Sequence, residues 1–418
     1  MTSGTATSLL VITFAAVLAP VLAELLRRFR IPSVLFELLL GILIGPAVLG
    51  LADTNRFIDG LSTLGLAFLF FIAGYEIDFR RLRGHPLNRA LSGWGISLFL
   101  GLAVGVVLML EGFVVSSLLV GLALTTTAIG TLLPMLQDRG VLGTRFGDYI
   151  SAGGAVGEFA PIVAVTILLG TASPTREGLL LIAFVVLALG VAYMASRPQP
   201  PRFVEVMQRH LSTSTQLPVR IIILLIVAMV TVATSLGLDM LLGAFAAGLI
   251  GRLAFKSDSS SHLEHRVDSI GFGFLIPVFF IVSGMRFDVT QLFESPSTAI
   301  RVPIFLALFL VVRGLPALVN YRGLLPGRES AALAVLQATA LPLLVVISEI
   351  GVSTGQMRPE NATALVGAGM LSVLVFPLAG FAILGGAETD RADVQEATQP
   401  DDGTRPPPEE LDPLSDTL

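Results

Sequence analysis

The sequence predicts an all-α polytopic membrane protein: about thirteen transmembrane helices in an inverted-topology repeat, two of them discontinuous, with the N-terminus outside and the C-terminus cytoplasmic. Three observations carry this reading. Hydrophobic residues fill 54% of the 418 positions and charged residues only 14%, for a mean hydropathy of +0.83, too apolar for a soluble domain with one anchor. The apolar residues gather into thirteen runs of about 20, the length that crosses a bilayer core as a helix. The basic residues between the runs favour one side of the membrane.

In order, the runs lie near residues 7–26, 33–51, 57–75, 88–110, 113–137, 147–170, 178–196, 218–236, 238–255, 266–285, 299–319, 328–351 and 361–386. The first has no basic residues ahead of it and is followed by Arg27, Arg28 and Arg30, which predicts a retained span with its N-terminus outside rather than a cleaved signal peptide. Placing the segments after runs 1, 3, 5, 7, 9 and 11 and the C-terminus in the cytoplasm puts 20 of the 26 basic residues there. The other side holds Arg56, Arg176, Arg286, Arg301 and Arg358, and Arg313 falls inside run 11.

Runs 5 and 6 organise the rest, because both carry polar features at their centres. Run 5 reads Thr125-Thr126-Thr127-Ala128-Ile129-Gly130-Thr131, and run 6 reads Gly157-Glu158-Phe159-Ala160-Pro161. Only a helix lets an isolated segment satisfy its backbone in hydrocarbon, so a Thr- and Gly-rich centre can unwind only where protein or a water-filled cavity surrounds it. Glu158 is the twelfth of the 24 residues from Gly147 to Gly170, near mid-membrane, where an ionisable group points to function. Two readings of Thr125, Thr126 and Thr127 stand: oxygen ligands for an alkali ion, or hydroxyls bonded back to the preceding turn. Glu158 likewise has a structural alternative, an ion pair with Arg313, whose buried charge needs a partner and for which Glu158 is the nearest by depth.

An internal echo relates the halves. Glu37-Leu38-Leu39-Leu40-Gly41 in run 2 returns as Asp239-Met240-Leu241-Leu242-Gly243 in run 9. Phe70-Phe71-Ile72-Ala73-Gly74 with Asp78 returns in run 10 as Phe279-Phe280-Ile281-Val282-Ser283-Gly284 with Asp288. An offset of seven runs is odd, so matching helices point in opposite directions, with repeats over about 7–170 and 218–386. The same offset pairs run 5 with run 12, which is interrupted at Gln337-Ala338-Thr339-Ala340-Leu341-Pro342. Gln337 and Thr339 thereby become candidates for a site between the halves. Residues 1–386 form the transmembrane domain, and 387–418, with ten acidic and two basic residues and Pro406-Pro407-Pro408, an unstructured cytoplasmic tail.

Other features exclude alternatives. The absence of Cys rules out thiolate metal sites and thiol catalysis, and all four His (His85, His210, His262, His265) fall in predicted cytoplasmic loops. No His-Glu-x-x-His motif, intramembrane Ser-His pair or pair of mid-membrane aspartates is present, which speaks against an intramembrane hydrolase. No enzyme activity, catalytic residue, cofactor or nucleic-acid partner is expected. Glu24, Glu37 and Glu76 lie toward the cytoplasmic ends of their runs and Glu349 and Asp239 toward the outer ends, where they are read as snorkelling or solvated groups. Gly41, Gly45 and Gly248 are read as points of close helix contact.

Ile31 to Pro46 (IPSVLFELLLGILIGP), Leu64 to Glu76 (LGLAFLFFIAGYE), Leu242 to Gly248 (LGAFAAG) and Phe279 to Met285 (FFIVSGM) together resemble the signatures of the monovalent cation:proton antiporter-2 family, the Kef-type sodium/proton exchangers. The likeness runs over nearly all of residues 7–386. It implies exchange of protons for Na⁺ or K⁺ across the plasma or inner membrane by a homodimer, with a dimerisation domain and a core domain that moves like an elevator. Glu158 stands at the position of the family's ion-binding carboxylate and would hold the transported cation transiently. Where relatives carry Asp-Asp, Asn-Asp or Gln-Asp, this sequence has Gly157-Glu158, and run 12 lacks an acid that many relatives have. Arg313 resembles the family's membrane-embedded Lys or Arg and would balance charge.

The residues then suggest a mechanism. One carboxylate that takes either a proton or a cation suffices for exchange, with carbonyls and hydroxyls at Thr125, Thr126 and Thr127 completing the cation's shell. Because Arg313 does not release its proton, one cation for one proton is expected, an electroneutral cycle. Two other readings stay open: a non-transporting sensor or regulatory relative, motivated by Gly157 and the missing acid of run 12, and a cation channel.

Overall fold

In the computed structural model, residues 3–26, 32–76, 84–169, 174–196, 216–254, 260–287 and 296–398 are described. Arg27, Arg28, Arg30, Asp78, Arg80, Arg81, Arg83, His210, Asp288 and residues 399–418 lie outside them, as does the side chain of His262. Among the described residues the regular structure is all helical, apart from an isolated bridge between Arg322 and Leu325. We number the helices α1 (Ser3–Leu25), α2 (Ser33–Ile44), α3 (Arg56–Glu76), α4 (His85–Leu110), α5 (Ser117–Leu124), α6 (Ile129–Asp138), α7 (Arg145–Leu169), α8 (Pro174–Ser196) and α9 (Leu217–Ser235). They continue as α10 (Met240–Ala254), α11 (Ser260–Ile270), α12 (Ile276–Arg286), α13 (Pro296–Phe309), α14 (Leu315–Asn320), α15 (Gly327–Gln337), α16 (Pro342–Ser353) and α17 (Pro359–Thr398).

Nine stretches of the described residues are long and apolar enough to cross a membrane, and they coincide with runs 1, 3, 4, 7, 8, 10, 11, 12 and 13. The other four runs are helical but shorter, broken or more polar. Run 2 stops at Ile44 because Gly45 precedes Pro46 and adopts extended backbone, where a helical residue would clash with the proline ring. Run 5 is split into α5 and α6, run 6 is α7, and run 9 is the 15-residue α10. Two π-turns, Gly271–Leu275 and Leu310–Gly314, join α11 to α12 and α13 to α14. Pro277 and Pro316 supply no N–H to the carbonyls four residues back, which lie inside those π-turns, so the ladder widens there.

Small residues let two pairs of helices touch backbone to backbone. A Cβ on Gly41 would run into the Ile281 carbonyl and one on Gly284 into that of Leu38, so α2 lies directly on α12. Likewise Gly248 admits the Phe71 carbonyl and Gly74 that of Phe245, seating α10 on α3. The first contact joins runs 2 and 10 and the second joins runs 9 and 3, and a shift of seven runs exchanges them. A second bundle gathers α4, α5, α7 and α13–α17 around the two helix breaks. Phe159 of α7 meets Phe70 of α3 edge-on and stacks on Phe245 of α10, where this bundle touches the first. The outward faces of α1, α4 and α8 expose Phe14, Phe99, Leu179 and Leu189, as lipid-facing surfaces do.

Two expectations are corrected. Glu37, read as snorkelling, is only 5% exposed and faces protein. Its closeness to the helix end says nothing about the direction in which it points, and α2 turns it inward. The final helix does not stop where a tail was expected: α17 continues to Thr398. Residues 387–398 include three Ala and two Glu, good helix formers, and the helix ends two residues before Pro400.

Candidate ion site at the crossing of two broken helices

The two interrupted helices meet at their breaks. After α5 the chain tightens, with the Thr125 N–H on the Leu122 carbonyl at 3.0 Å and the Thr126 N–H on that of Ala123 at 3.3 Å. Residues 125–128 then run irregularly until α6 begins at Ile129. The second break, residues 338–341, separates α15 from α16, and Pro342 opens α16 in the position where its missing N–H costs nothing. Freed backbone groups find partners across the crossing. The Ala128 N–H donates to the Thr339 carbonyl at 2.7 Å, and the Thr127 N–H donates to the Gly157 carbonyl of α7 at 2.9 Å. Ser372 of α17 clamps the second break from the side, accepting from the Ala340 N–H at 3.0 Å and donating to the Ala340 carbonyl at 2.9 Å. Among the described residues no donor reaches the carbonyls of Thr125 and Thr126.

The three threonines, all buried, divide into two kinds. Thr125 and Thr126 return their hydroxyls to the carbonyls of Leu122 and Ala123 at 2.7 and 2.8 Å, the back-bonded arrangement. Thr127 reaches across instead. Its Oγ1 donates to the Gln337 carbonyl at 2.6 Å and accepts from Arg313 Nε at 2.8 Å, joining both breaks to the π-turn of run 11.

Glu158 is 1% exposed on α7, and its Oε2 accepts from the Gly130 N–H at 3.3 Å. The carboxylate therefore sits at the N-terminus of the ten-residue α6, where unpaired N–H groups and the helix dipole favour negative charge.

Arg313 is 2% exposed but is not the ion-pair partner of Glu158. Besides Thr127, its guanidinium donates to the Gly153 carbonyl at 3.0 Å and approaches Ser97 Oγ at 3.4 Å and Gln337 Oε1 at 3.5 Å. Among the described residues no carboxylate lies within 4.0 Å of it. Equal depth suggested the pair, but the direction of each side chain around its helix axis separates them, and dipoles from three helices and a break hold the cation instead.

Gly157 has a second meaning in this geometry. A Cβ there would lie 2.5 Å from Arg313 Nη2 and 2.7 Å from Thr127 Oγ1, so the guanidinium fills the space that a side chain at 157 would need. Gly153, one turn earlier, similarly leaves room for the side-chain amide of Gln337. Gln337 and Thr339 are buried at the second break, with Gln337 Nε2 and Thr339 Oγ1 lacking hydrogen-bond partners. Sequence reasoning missed Ser372 and the roles of Gly153 and Gly157. The glycine spacing in Gly153-Gly154-Ala155-Val156-Gly157 was the available signal for a face that admits another group.

Among the described residues, the crossing holds one buried carboxylate free of an ion pair, two backbone carbonyls without donors, and a fixed cation bonded elsewhere. A carboxylate of this kind can take up a proton or a hard monovalent cation. Among the described residues no cluster of three His, Cys, Asp or Glu side chains is present to build a resident metal site.

Comparison with known proteins places the chain. It is 26% identical over 390 residues to the putative Na⁺/H⁺ antiporter YjbQ of Bacillus subtilis, a match that covers 89% of this chain and 62% of YjbQ. It is 27% identical over 368 residues to the Na⁺/H⁺-K⁺ antiporter GerN of Bacillus cereus, covering 85% of this chain and 90% of GerN. The solved structure of the sodium proton antiporter MjNhaP1 from Methanocaldococcus jannaschii superposes with a TM-score of 0.60 at 15% identity, over 89% of this chain and 97% of that one, which shows a shared fold. The profile of the family described as "Sodium/hydrogen exchanger, transmembrane" matches residues 13–385, and the chain belongs to that family.

Proposed function

We propose that this multi-pass membrane protein is a secondary active antiporter of the cell membrane that exchanges protons for Na⁺ or K⁺, with Glu158 as the group that binds either. The observation that carries the reading is the position of Glu158: buried, at the crossing of two broken helices, facing the N-terminus of α6 and free of any ion pair among the described residues. A carboxyl so placed is stable as an acid or as a carboxylate beside a cation, and unstable bare in a low-dielectric interior. Proton and cation therefore compete for one group, which is what exchange requires. The Thr125 and Thr126 carbonyls are the oxygens we assign to the cation's shell, while Thr127 with Gln337 serves the scaffold around Arg313.

Arg313 keeps its proton in every state, so the proton-loaded and cation-loaded carriers bear the same net charge and the cycle is electroneutral. The name of GerN, which includes potassium, supports keeping K⁺ beside Na⁺. The four signature stretches support the Kef-type branch. Working as a homodimer with elevator-like movement of the bundle that carries Glu158 completes the proposal.

Everted vesicles test it directly. Adding Na⁺ or K⁺ to vesicles acidified inside should release protons with saturable kinetics, and Glu158→Gln should abolish the release while the protein stays folded. Release that follows the membrane potential rather than saturating would mark a channel, and none from the wild type with either cation would mark a sensor. In proteoliposomes the exchange rate should not respond to an imposed potential. A rate that does respond would reject the one-for-one stoichiometry.

A further inference from the structure

A second acidic side chain lies deep in the protein, away from the crossing. Glu37 occupies the second turn of α2, a helix otherwise apolar after Ser33. It is 5% exposed, and its Oε2 has no hydrogen-bond donor. No basic side chain of the described residues makes an ion pair with it. α2 packs on α1, α12 and α17, none of which carries Glu158. The charged groups of those helices do not neutralise Glu37. Glu24 of α1 and Glu360 of α17 are themselves acidic, Arg286 of α12 is held by Asp59 at 2.9 Å and lies 3.8 Å from Glu349, and the α17 side chains beyond Gly385 lie outside the described residues.

Asp239, at the matching place in the other half, shows what an ordinary structural acid does there. Its Oδ1 accepts from the Leu241 N–H at 2.8 Å and caps the start of α10. Glu37 cannot do this, since α2 begins four residues before it and its neighbouring N–H groups already serve the helix. One turn on, α2 touches α12 through Gly41 against Ile281 and then Gly45 against the backbone of Met285, so the two helices close tightly past it. A bare carboxylate without donor or counter-ion is strongly disfavoured in such a place, whereas the neutral acid is not.

We infer that Glu37 is a second proton-binding site, distinct from Glu158, which holds its proton while its carboxyl lies buried and releases it to water wherever the fold lets solvent reach it. The ionisation is Glu37–COOH giving Glu37–COO⁻ and a proton to solvent, with no other reactant. Acid then favours the buried carboxyl and alkali any state that exposes it, a pH response independent of Glu158.

The test is infrared difference spectroscopy of the purified full-length protein in liposomes, in a Glu158→Gln background, comparing Glu37 with Glu37→Gln. Gln keeps the shape and cannot ionise. The expected result is a protonated-carboxyl band near neutral pH that is missing in Glu37→Gln and is lost as the pH rises. Thermal unfolding should agree, with the wild type falling in stability relative to Glu37→Gln as pH increases. A spectrum showing only ionised Glu37, or an acid band unchanged up to the highest pH the fold tolerates, would overturn the inference. Neither readout needs transport, so failure here is separable from failure of the antiport proposal; in vesicles, a pH profile shifted by Glu37→Gln is the further expected outcome, and coincident profiles count against the site.

Discussion

Gly157→Ala is the smallest change that probes the crossing. The added Cβ would lie 2.5 Å from Arg313 Nη2, 2.7 Å from Thr127 Oγ1 and 2.8 Å from Thr127 Cβ. The guanidinium end can move, but Thr127 cannot follow easily, because its N–H is bonded to the Gly157 carbonyl and its hydroxyl to Gln337. Displacing Nη2 breaks its bond to the Gly153 carbonyl, a charge-assisted contact contributing about 1.5–3 kcal/mol, and forced packing adds about 1–3 kcal/mol. A total loss of about 2.5–6 kcal/mol is expected. Thermal unfolding in detergent measures it, with vesicle exchange as the functional readout. A double-mutant cycle isolates the cause: in an Arg313→Ala background, Gly157→Ala should cost less by about 1–3 kcal/mol, since the guanidinium is no longer there to be pushed. Full stability and full exchange in Gly157→Ala, or strict additivity with Arg313→Ala, would show that the guanidinium does not occupy this cradle. By the same geometry Gly157→Asp should destabilise the protein rather than rebuild an acid pair.

Thr127→Val should cost about 2–3 kcal/mol, because it strands the Arg313 Nε donor and the Gln337 carbonyl together, whereas Thr126→Val, which loses only a bond to its own preceding turn, should cost under about 1 kcal/mol; chemical unfolding of the two side by side checks the order. Ser372→Ala leaves the Ala340 N–H without its partner in a buried break and should cost about 1–3 kcal/mol, seen as faster amide exchange at residues 338–341 than in the wild type.

The positions of the helices were legible because hydrocarbon leaves the backbone no alternative, so twenty apolar residues in a row mean a span whatever surrounds them. The breaks were legible for the converse reason: Thr125 to Thr127 and Thr339 to Pro342 weaken a helix at a depth where only protein can compensate. Depth is thus readable from residue counting, which is why Glu158 stood out. Azimuth is not. Residue counting gave Arg313 and Glu158 a similar depth, but they face different neighbours, and Glu37 sits near a helix end yet points into protein. Ser372 belongs to neither break and lies 32 residues from the backbone it clamps, so no local pattern announced it. Gly157 looked like an absence, and only the folded chain shows what occupies the space.

The ring of Phe159 follows Glu158 directly in α7 and lodges between Phe70 and Phe245 of the neighbouring bundle. Adjacent on one rigid helix, the acid and the ring travel together. Any slide of one bundle past the other must therefore lift that ring out of its notch, and each aromatic contact resists by about 0.5–1.5 kcal/mol. In the proposed movement, a tooth in a notch of this kind would give resting stops instead of a continuum.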